Sequence, residues 1–229
     1  MKKKIIAIIP ARGCSKGIPR KNIKIFAGKP LVVHSIEQAL NTSQIDAVYV
    51  STDDAEIAKI SKNAGAEIIN RPKEISGDIA TTESVIAHAL SVLNEKPDII
   101  ILLQPTSPLR PENSIKDGIE KFLKRNYDSL LSISPTHRFF WKIKNGQINA
   151  EYDFLNRPRR QDIKEKNINY VENGSLYIFS RKHFEKTGNR LGGKIGYLIF
   201  SEEYSYEIDT FSDFEFLEIL AKKLNFGDK

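Results

Sequence analysis

The chain has 229 residues, 40% of them hydrophobic, with 35 basic and 29 acidic side chains for a formal net charge of +6. A chain of this length predicts one or two domains and can bury roughly 70% of its unfolded surface without a disulfide or metal staple. The apolar content argues against disorder, the mild charge does not demand a nucleic-acid partner, and the single cysteine, Cys14, excludes an internal disulfide framework and a cysteine-rich zinc site.

No apolar run approaches the ~18 residues of a membrane span. The opening Met1-Lys2-Lys3-Lys4 has the basic character of a signal-peptide head. The apolar stretch behind it, Ile5-Ile6-Ala7-Ile8-Ile9, ends at Pro10, short of the ~7–15 residues that a signal needs. A reducing, cytoplasmic location is expected.

Residues 5–9 are apolar on both faces, the pattern of a central parallel strand covered by helices above and below. A loop rich in glycine, proline and basic residues follows at 10–22. Residues 31–40 have helical spacing, with Val32, Ile36, Ala39 and Leu40 on one face. Ala47-Val48-Tyr49-Val50 reads as a strand closed by Ser51-Thr52-Asp53-Asp54. Asp53 or Asp54 is placed to cap a helix through Ala64, and Gly65 to end it. A short strand at 66–69, a helix at 82–93, a doubly buried strand at 98–103, a helix at 114–123 and a strand at 129–134 complete the regular part.

The alternation breaks after Pro135. From there to about Ile168 the chain is aromatic, then strongly basic, with weak periodicity. Leu176-Tyr177-Ile178-Phe179 returns as a strand, 195–200 is another, and 214–224 is a closing amphipathic helix. Strands alternating with helices imply βαβ units and a parallel sheet. The expected fold is therefore α/β, one domain over 1–229, with about 135–170 as an insertion suited to a dimer arm.

In open parallel sheets ligands sit outside the carboxyl ends of the strands, so residues 10–22, 51–54, 71–82 and 104–110 matter most. The first loop, Pro10-Ala11-Arg12-Gly13-Cys14-Ser15-Lys16-Gly17-Ile18-Pro19-Arg20-Lys21-Asn22, carries four cations: Arg12, Lys16, Arg20 and Lys21. Gly13 and Gly17 let the backbone turn its N–H groups toward an anion. This chemistry suits a polyphosphate, and a solvated basic turn is the competing reading. Neither the Walker A pattern nor the dinucleotide fingerprint is present.

Residues 9–22, Ile-Pro-Ala-Arg-Gly-x-Ser-Lys-Gly-Ile-Pro-Arg-Lys-Asn, resemble the signature of the acylneuraminate cytidylyltransferases, also called CMP-sialic acid synthetases. Further segments are similar to the same family, in order along nearly the whole chain. They are Ala27-Gly28-Lys29-Pro30-Leu31, Val50-Ser51-Thr52-Asp53, Arg71-Pro72 with Asp78-Ile79-Ala80, and Leu103-Gln104-Pro105-Thr106-Ser107-Pro108-Leu109-Arg110. Pro158-Arg159-Arg160-Gln161, Glu172-Asn173-Gly174 and Ile208-Asp209-Thr210 follow. The resemblance implies a nucleotide-diphospho-sugar transferase-like, Rossmann-like fold with a mixed, mainly parallel sheet, helices on both faces and a small dimerisation insertion, usually as a homodimer. The implied reaction joins CMP from CTP to a 2-keto nonulosonic (sialic-type) acid, with Mg²⁺, and releases pyrophosphate. Such a step depends on positioning and charge neutralisation, the need that the basic loop meets.

By the same resemblance Arg12, Lys21 and Asp209 are the catalytic residues. Ala11, Arg12, Gly13, Ser15, Lys16, Lys21 and Asn22 bind the nucleotide, with Asn22 near the α-phosphate or ribose. Arg71, Ala80 and Thr82 match a cytosine-reading region, served by backbone groups around Ala80, and Asp78 organises that loop. Gln104 matches a sugar contact, and Lys142, Arg159, Arg160 and Asn173 bind the sugar acid, in part across a dimer interface. Asp209 matches a metal-binding carboxylate. Where the family often has Asp-x-Asp, this chain has Glu207-x-Asp209, and i, i+2 spacing in an extended segment aims both at one Mg²⁺. Asp213 reads as a helix cap, and His137, Phe139, Phe140 and Trp141 as an interface or core cluster.

Two departures stand out: Cys14 where the family commonly has glycine, and Val171 where many relatives carry arginine. The second leaves the acid open among sialic, legionaminic, pseudaminic and similar sugars. Three other readings stay open. One is the related Kdo cytidylyltransferases, whose first loop has a different Ser-Thr-Arg-x-Pro pattern. Another is a catalytically silent, dimeric nucleotide-binding protein. The third is a nucleic-acid binder using residues 157–166, although neither nucleic acid nor membrane is the expected partner.

Overall fold

In the computed structural model, which describes residues 2–163 and 168–226, the first apolar run forms β1 (Ile5–Pro10). Residues 5–9 are at most 4% exposed, so both of its faces are covered, as its composition requires. A 3-10 turn at Lys21–Ile23 leads into a small hairpin, β2 (Ile25–Phe26) and β3 (Lys29–Pro30), that periodicity does not reveal. Its two-residue turn has positive φ at both Ala27 and Gly28, the geometry that matches strand twist.

α1 (Leu31–Leu40) buries Val32, Ile36 and Ala39, whereas Leu40, its last residue, is 46% exposed. β4 (Ala47–Thr52) and α2 (Ala55–Asn63) follow. Asp54, not Asp53, caps α2 by accepting the N–H groups of Glu56 and Ile57. Gly65, at φ +96°, takes the left-handed position beyond the helix end. Next come β5 (Glu67–Asn70), α3 (Thr82–Val92), β6 (Ile99–Leu103), α4 (Ser114–Arg125) and β7 (Ser129–Thr136).

The weakly periodic stretch contains a second hairpin, β8 (Trp141–Lys144) and β9 (Gln147–Ala150), turned at Asn145 and Gly146 with positive φ. All four residues of β8 are exposed, so no buried face marks it as a strand. β10 (Asn169–Ser180) is far longer than its apolar centre. α5 (Arg181–Thr187), β11 (Ile195–Ile199) and α6 (Phe211–Lys223) complete the chain. Thr210 and Asp213 form a reciprocal capping box on α6. Lys164 and Lys166, within the basic stretch 157–166, lie outside the described residues.

The sheet order is β11-β7-β10-β6-β1-β4-β5. β10 runs antiparallel to β6 and β7, and the other pairings are parallel. The sheet is thus mixed and mainly parallel. Ile5, Ala7 and Ile9 face one apolar layer with α1 and α4, while Ile6 and Ile8 face the other with α3 and α5. A third cluster of Ile18, Phe26, Leu31, Leu109, Ile208, Phe214 and Leu217 ties the first loop to α6. From β1 the chain builds β4 and β5 on one side, then crosses to β6 on the other. The switch point therefore lies between β1 and β6, where a ligand crevice is expected. Among the described residues no helix is long and apolar enough to cross a membrane.

Candidate active site

At that switch point a cleft of about 490 Å³ opens. It gathers Arg12, Ser15, Lys16, Lys21 and Asn22 from the first loop with Arg71, Ala80 and Thr82 from residues 71–82. Gln104 from the end of β6, and Glu207 and Asp209 from before α6, line it as well.

The first loop is braced by backbone contacts. Ala11 is fully buried and donates its N–H to the Ser51 carbonyl at 2.9 Å, so it extends the sheet behind the cleft instead of facing it. Gly13 donates its N–H to Asp53 Oδ1 at 3.0 Å. A Cβ on Gly13 would meet Asp54 at 2.9 Å, and one on Gly17 would run into the Asp209 carbonyl oxygen. Both glycines thus serve close approach, and the expectation that they free amides for an anion is corrected for Gly13. The left-handed residue of the loop is Arg20, at φ 57°. It turns away to Asp54 and Glu56.

Arg12 Nη1 donates to the Gly77 carbonyl at 3.2 Å and lies 3.0 Å from Asp78. Lys16 is also 3.0 Å from Asp78. Lys16 first, and Arg12 after it, hold the Asp78 carboxyl below the usual carboxylate range, so Asp78 organises this edge of the cleft. Lys21 is only 9% exposed. Its Nζ donates to the Ile208 carbonyl at 2.6 Å and to Asp209 Oδ1 at 3.1 Å, leaving one N–H for a ligand. Asn22 Nδ2 donates to the Arg12 carbonyl at 2.9 Å, so its amide first holds the loop.

Arg71 is 7% exposed, and its Nε and Nη2 have no hydrogen-bond partner. Burial lowers its pKa and Asp53, 3.9 Å away, opposes that. The Ala80 N–H donates to the Gly77 carbonyl at 3.2 Å and so is engaged in a turn, not offered to a base. Thr82 opens α3, which Thr81 caps.

Gln104 projects into the cleft while its backbone carbonyl accepts from Arg110 Nη2 at 2.8 Å. Arg110 is buried and also binds the Ser175 carbonyl, Ser35 Oγ and Gln38 Oε1. It clamps the 104–110 turn to β10 and α1. Asn173 corrects an expectation. It is 1% exposed, with Oδ1 accepting from Ser132 Oγ at 2.5 Å and Nδ2 donating to Ser134 Oγ at 3.0 Å. The irregular pairing of β10 with β7 between Glu172 and Tyr177 accompanies this inward setting, and burial withdraws the side chain from the cleft and from a sugar there.

Lys142, Arg159 and Arg160 are not brought to the cleft of their own chain. Lys142 pairs with Glu151, Arg159 with Asp162 at 2.6 Å, and Arg160 with Glu202 at 4.0 Å. They belong to an arm whose aromatic residues pack on one another, with Trp141 and Phe154 exposed and Phe139 and Tyr152 half-buried. Phe139 lies 4.5 Å from Tyr152, and Trp141 contacts Tyr152 and Phe154.

Glu207 and Asp209 face the same cleft. Burial first, and the charge of Asp209 second, push the Glu207 carboxyl up to about 7, against the pull of Lys21. Gly174, at φ +63°, leaves room for the Glu207 carboxylate, which a Cβ there would strike. No cluster of three or more metal-ligating side chains occurs among the described residues. Two carboxylates lining a cleft with several cations nonetheless fit Mg²⁺, which takes one or two carboxylates and completes its shell with substrate phosphates and water.

A family model described as cytidylyltransferase matches residues 6–226. The chain belongs to the cytidylyltransferase family. Within it, the chain is 37% identical to N-acylneuraminate cytidylyltransferase of Oncorhynchus mykiss over 99% of its own length and 52% of that protein. It is 33% identical to pseudaminic acid cytidylyltransferase of Campylobacter jejuni over 96% of its own length and 97% of that protein. The chain thus spans about half the length of the first relative and nearly all of the second. The structure of a CMP:2-keto-3-deoxy-manno-octonic acid synthetase complexed with CTP matches at a TM-score of 0.70 and 17% identity, covering 96% of this chain and 99% of that one. At that identity the likeness bears on the fold alone, the mixed, mainly parallel α/β sheet with helices on both faces that the resemblance implied.

Proposed function

We propose that this chain transfers CMP from CTP to a 2-keto nonulosonic acid, releasing pyrophosphate. The observation that carries the reading is the joining of Arg12, Lys16, Lys21 and Arg71 in one cleft with Gln104, Glu207 and Asp209. Four cations suit a triphosphate, and an amide at the far side suits a polyol acid. The relatives named for N-acylneuraminate and pseudaminic acid cytidylyltransfer support the same class of acceptor.

In this reading the acceptor's anomeric hydroxyl oxygen bonds to the α-phosphorus, the α–β phosphoanhydride breaks, the hydroxyl proton passes to water and pyrophosphate leaves. Lys21 and Arg12 hold the negative charge that accumulates on the leaving phosphates, from fixed positions, so little reorganisation is needed as the bond breaks. Arg71, which lines the same cleft, adds a fourth cation beside the nucleotide. Mg²⁺, held by Asp209 and Glu207, would add charge neutralisation at the phosphates. The exposed aromatic arm suits a homodimer in which Lys142, Arg159 and Arg160 serve the partner's cleft and its acid carboxylate. A single cysteine suits a cytoplasmic setting.

Pyrophosphate release, measured with CTP, Mg²⁺ and a panel of sialic, legionaminic and pseudaminic acids and Kdo, tests the reading. Turnover with at least one nonulosonic acid is expected. Preference for Kdo, or CTP binding without turnover on any acid, would replace it.

A further inference from the structure

Asp53 lies where β4 ends, with 19% of its side chain exposed. One oxygen, Oδ1, faces two parts of the cleft at once. It accepts the Gly13 N–H at 3.0 Å and lies 3.9 Å from Arg71 Nη2. The backbone beside it grips the same two segments. The Ser51 carbonyl accepts from Ala11 at 2.9 Å, and the Thr52 carbonyl accepts from Arg71 at 2.8 Å. The neighbouring Asp54 points elsewhere, capping α2 and pairing with Arg20.

Arg71 gives this arrangement its consequence. A guanidinium buried without a counter-charge is costly, and Arg12 repels it. Asp53 is the carboxylate that faces it, yet at 3.9 Å it balances the charge without taking a hydrogen bond. The Nε and Nη2 donors of Arg71 are buried without a hydrogen-bond partner. The Gly13 amide, in contrast, is fully engaged, which fixes the loop that carries Arg12.

We infer that Asp53 is a positioning residue that joins the first loop to Arg71, keeping the loop closed on β4 and the Arg71 guanidinium charged and in place in the cleft wall. The inference rests on the reading that this cleft takes CTP. It assigns Asp53 no contact with the reacting atoms.

The test is CTP binding by titration calorimetry with no acceptor acid, on the wild type, Asp53→Ala, Asp53→Asn, Arg71→Ala and the Asp53→Asn/Arg71→Ala double variant. Asp53→Ala, which removes both interactions, is expected to weaken CTP about 10-fold, the size of one lost polar coupling. In turnover with an acceptor acid it should raise the KM for CTP more than it lowers kcat, a split that a general loss of fold would not produce. Asp53→Asn keeps an acceptor for Gly13 but not the charge for Arg71, and should weaken CTP about 3-fold. That step should shrink below about 2-fold in the Arg71→Ala background, because the partner is already gone. Wild-type affinity in Asp53→Ala, or an undiminished Asn effect without Arg71, overturns the inference. If Asp53→Ala does not fold, the Asn cycle decides alone. A wild-type chain that does not bind CTP overturns the functional reading and this inference together, whereas normal wild-type binding with an indifferent Asp53 overturns this inference only.

Discussion

Lys21 and Asp209 are 188 positions apart in sequence, and their side chains meet at 3.1 Å in the cleft. The contact joins the loop after the first strand to the segment before the last helix. It places a cation and an anion side by side where a triphosphate and a divalent ion would each find an opposite charge.

Replacing Lys21 or Arg12 by alanine should lower turnover by ~10²–10³, as for loss of a charge partner in the transition state. Pyrophosphate release at saturating CTP is the measurement. Wild-type rates in both variants would remove the first loop from the chemistry.

Asp209→Asn takes away the charge that faces Lys21 and would face Mg²⁺. Activity should fall, and the Mg²⁺ concentration for half-maximal rate should rise with it. A full-rate variant with an unchanged Mg²⁺ titration would show that the metal is held elsewhere.

Gly17→Ala places a Cβ against the Asp209 carbonyl oxygen, a backbone atom that cannot swing aside. The loop and the Asp209 segment must part. Overpacking of this kind costs ~1–3 kcal/mol, so a lower urea midpoint together with a loss of turnover is expected. Unchanged values of both would mean that the two segments part freely.

His34 is buried beside the β2–β3 hairpin, and its Nε2 donates to the Phe26 carbonyl at 2.7 Å. Burial holds its pKa below the ordinary 6.5, against the pull of that carbonyl. The unfolded chain therefore binds the proton more readily. The contribution to stability is full above pH 6.5 and is lost as the pH falls through that value toward the folded pKa. His34→Gln does not titrate and lacks this component. Urea midpoints from pH 8 to pH 5 should fall more steeply for the wild type than for the variant, and parallel curves would contradict the assignment.

Trp141→Asp puts a charge into the exposed aromatic cluster of the arm. If the arm joins two copies, sedimentation should show the wild type as a dimer and the variant as a monomer. A wild-type monomer, or a variant that stays dimeric, would detach Lys142, Arg159 and Arg160 from any neighbour's cleft.

Much of the scaffold was legible because burial leaves a periodic trace. Residues 5–9 and 99–103 are apolar on both faces, and both became central strands. Asp213 reads as a cap because a short acid at that offset can reach the N–H groups at a helix start. The cleft was expected at the carboxyl ends of the strands because ligands of open parallel sheets sit there. Periodicity does not encode a strand's direction, so the reversal of β10 came only from the fold. Nor does a solvated hairpin such as β8 and β9 leave a pattern, since neither of its faces must be apolar. Asn173 reads as a sugar contact by its motif, whereas the fold sets it inward against Ser132 and Ser134. Residue types and spacing state what a segment must bury. Which distant segment comes to cover it, as Gly17 meets Asp209 and Gly13 meets Asp53, depends on how the layers pack, and packing is a property of the whole chain.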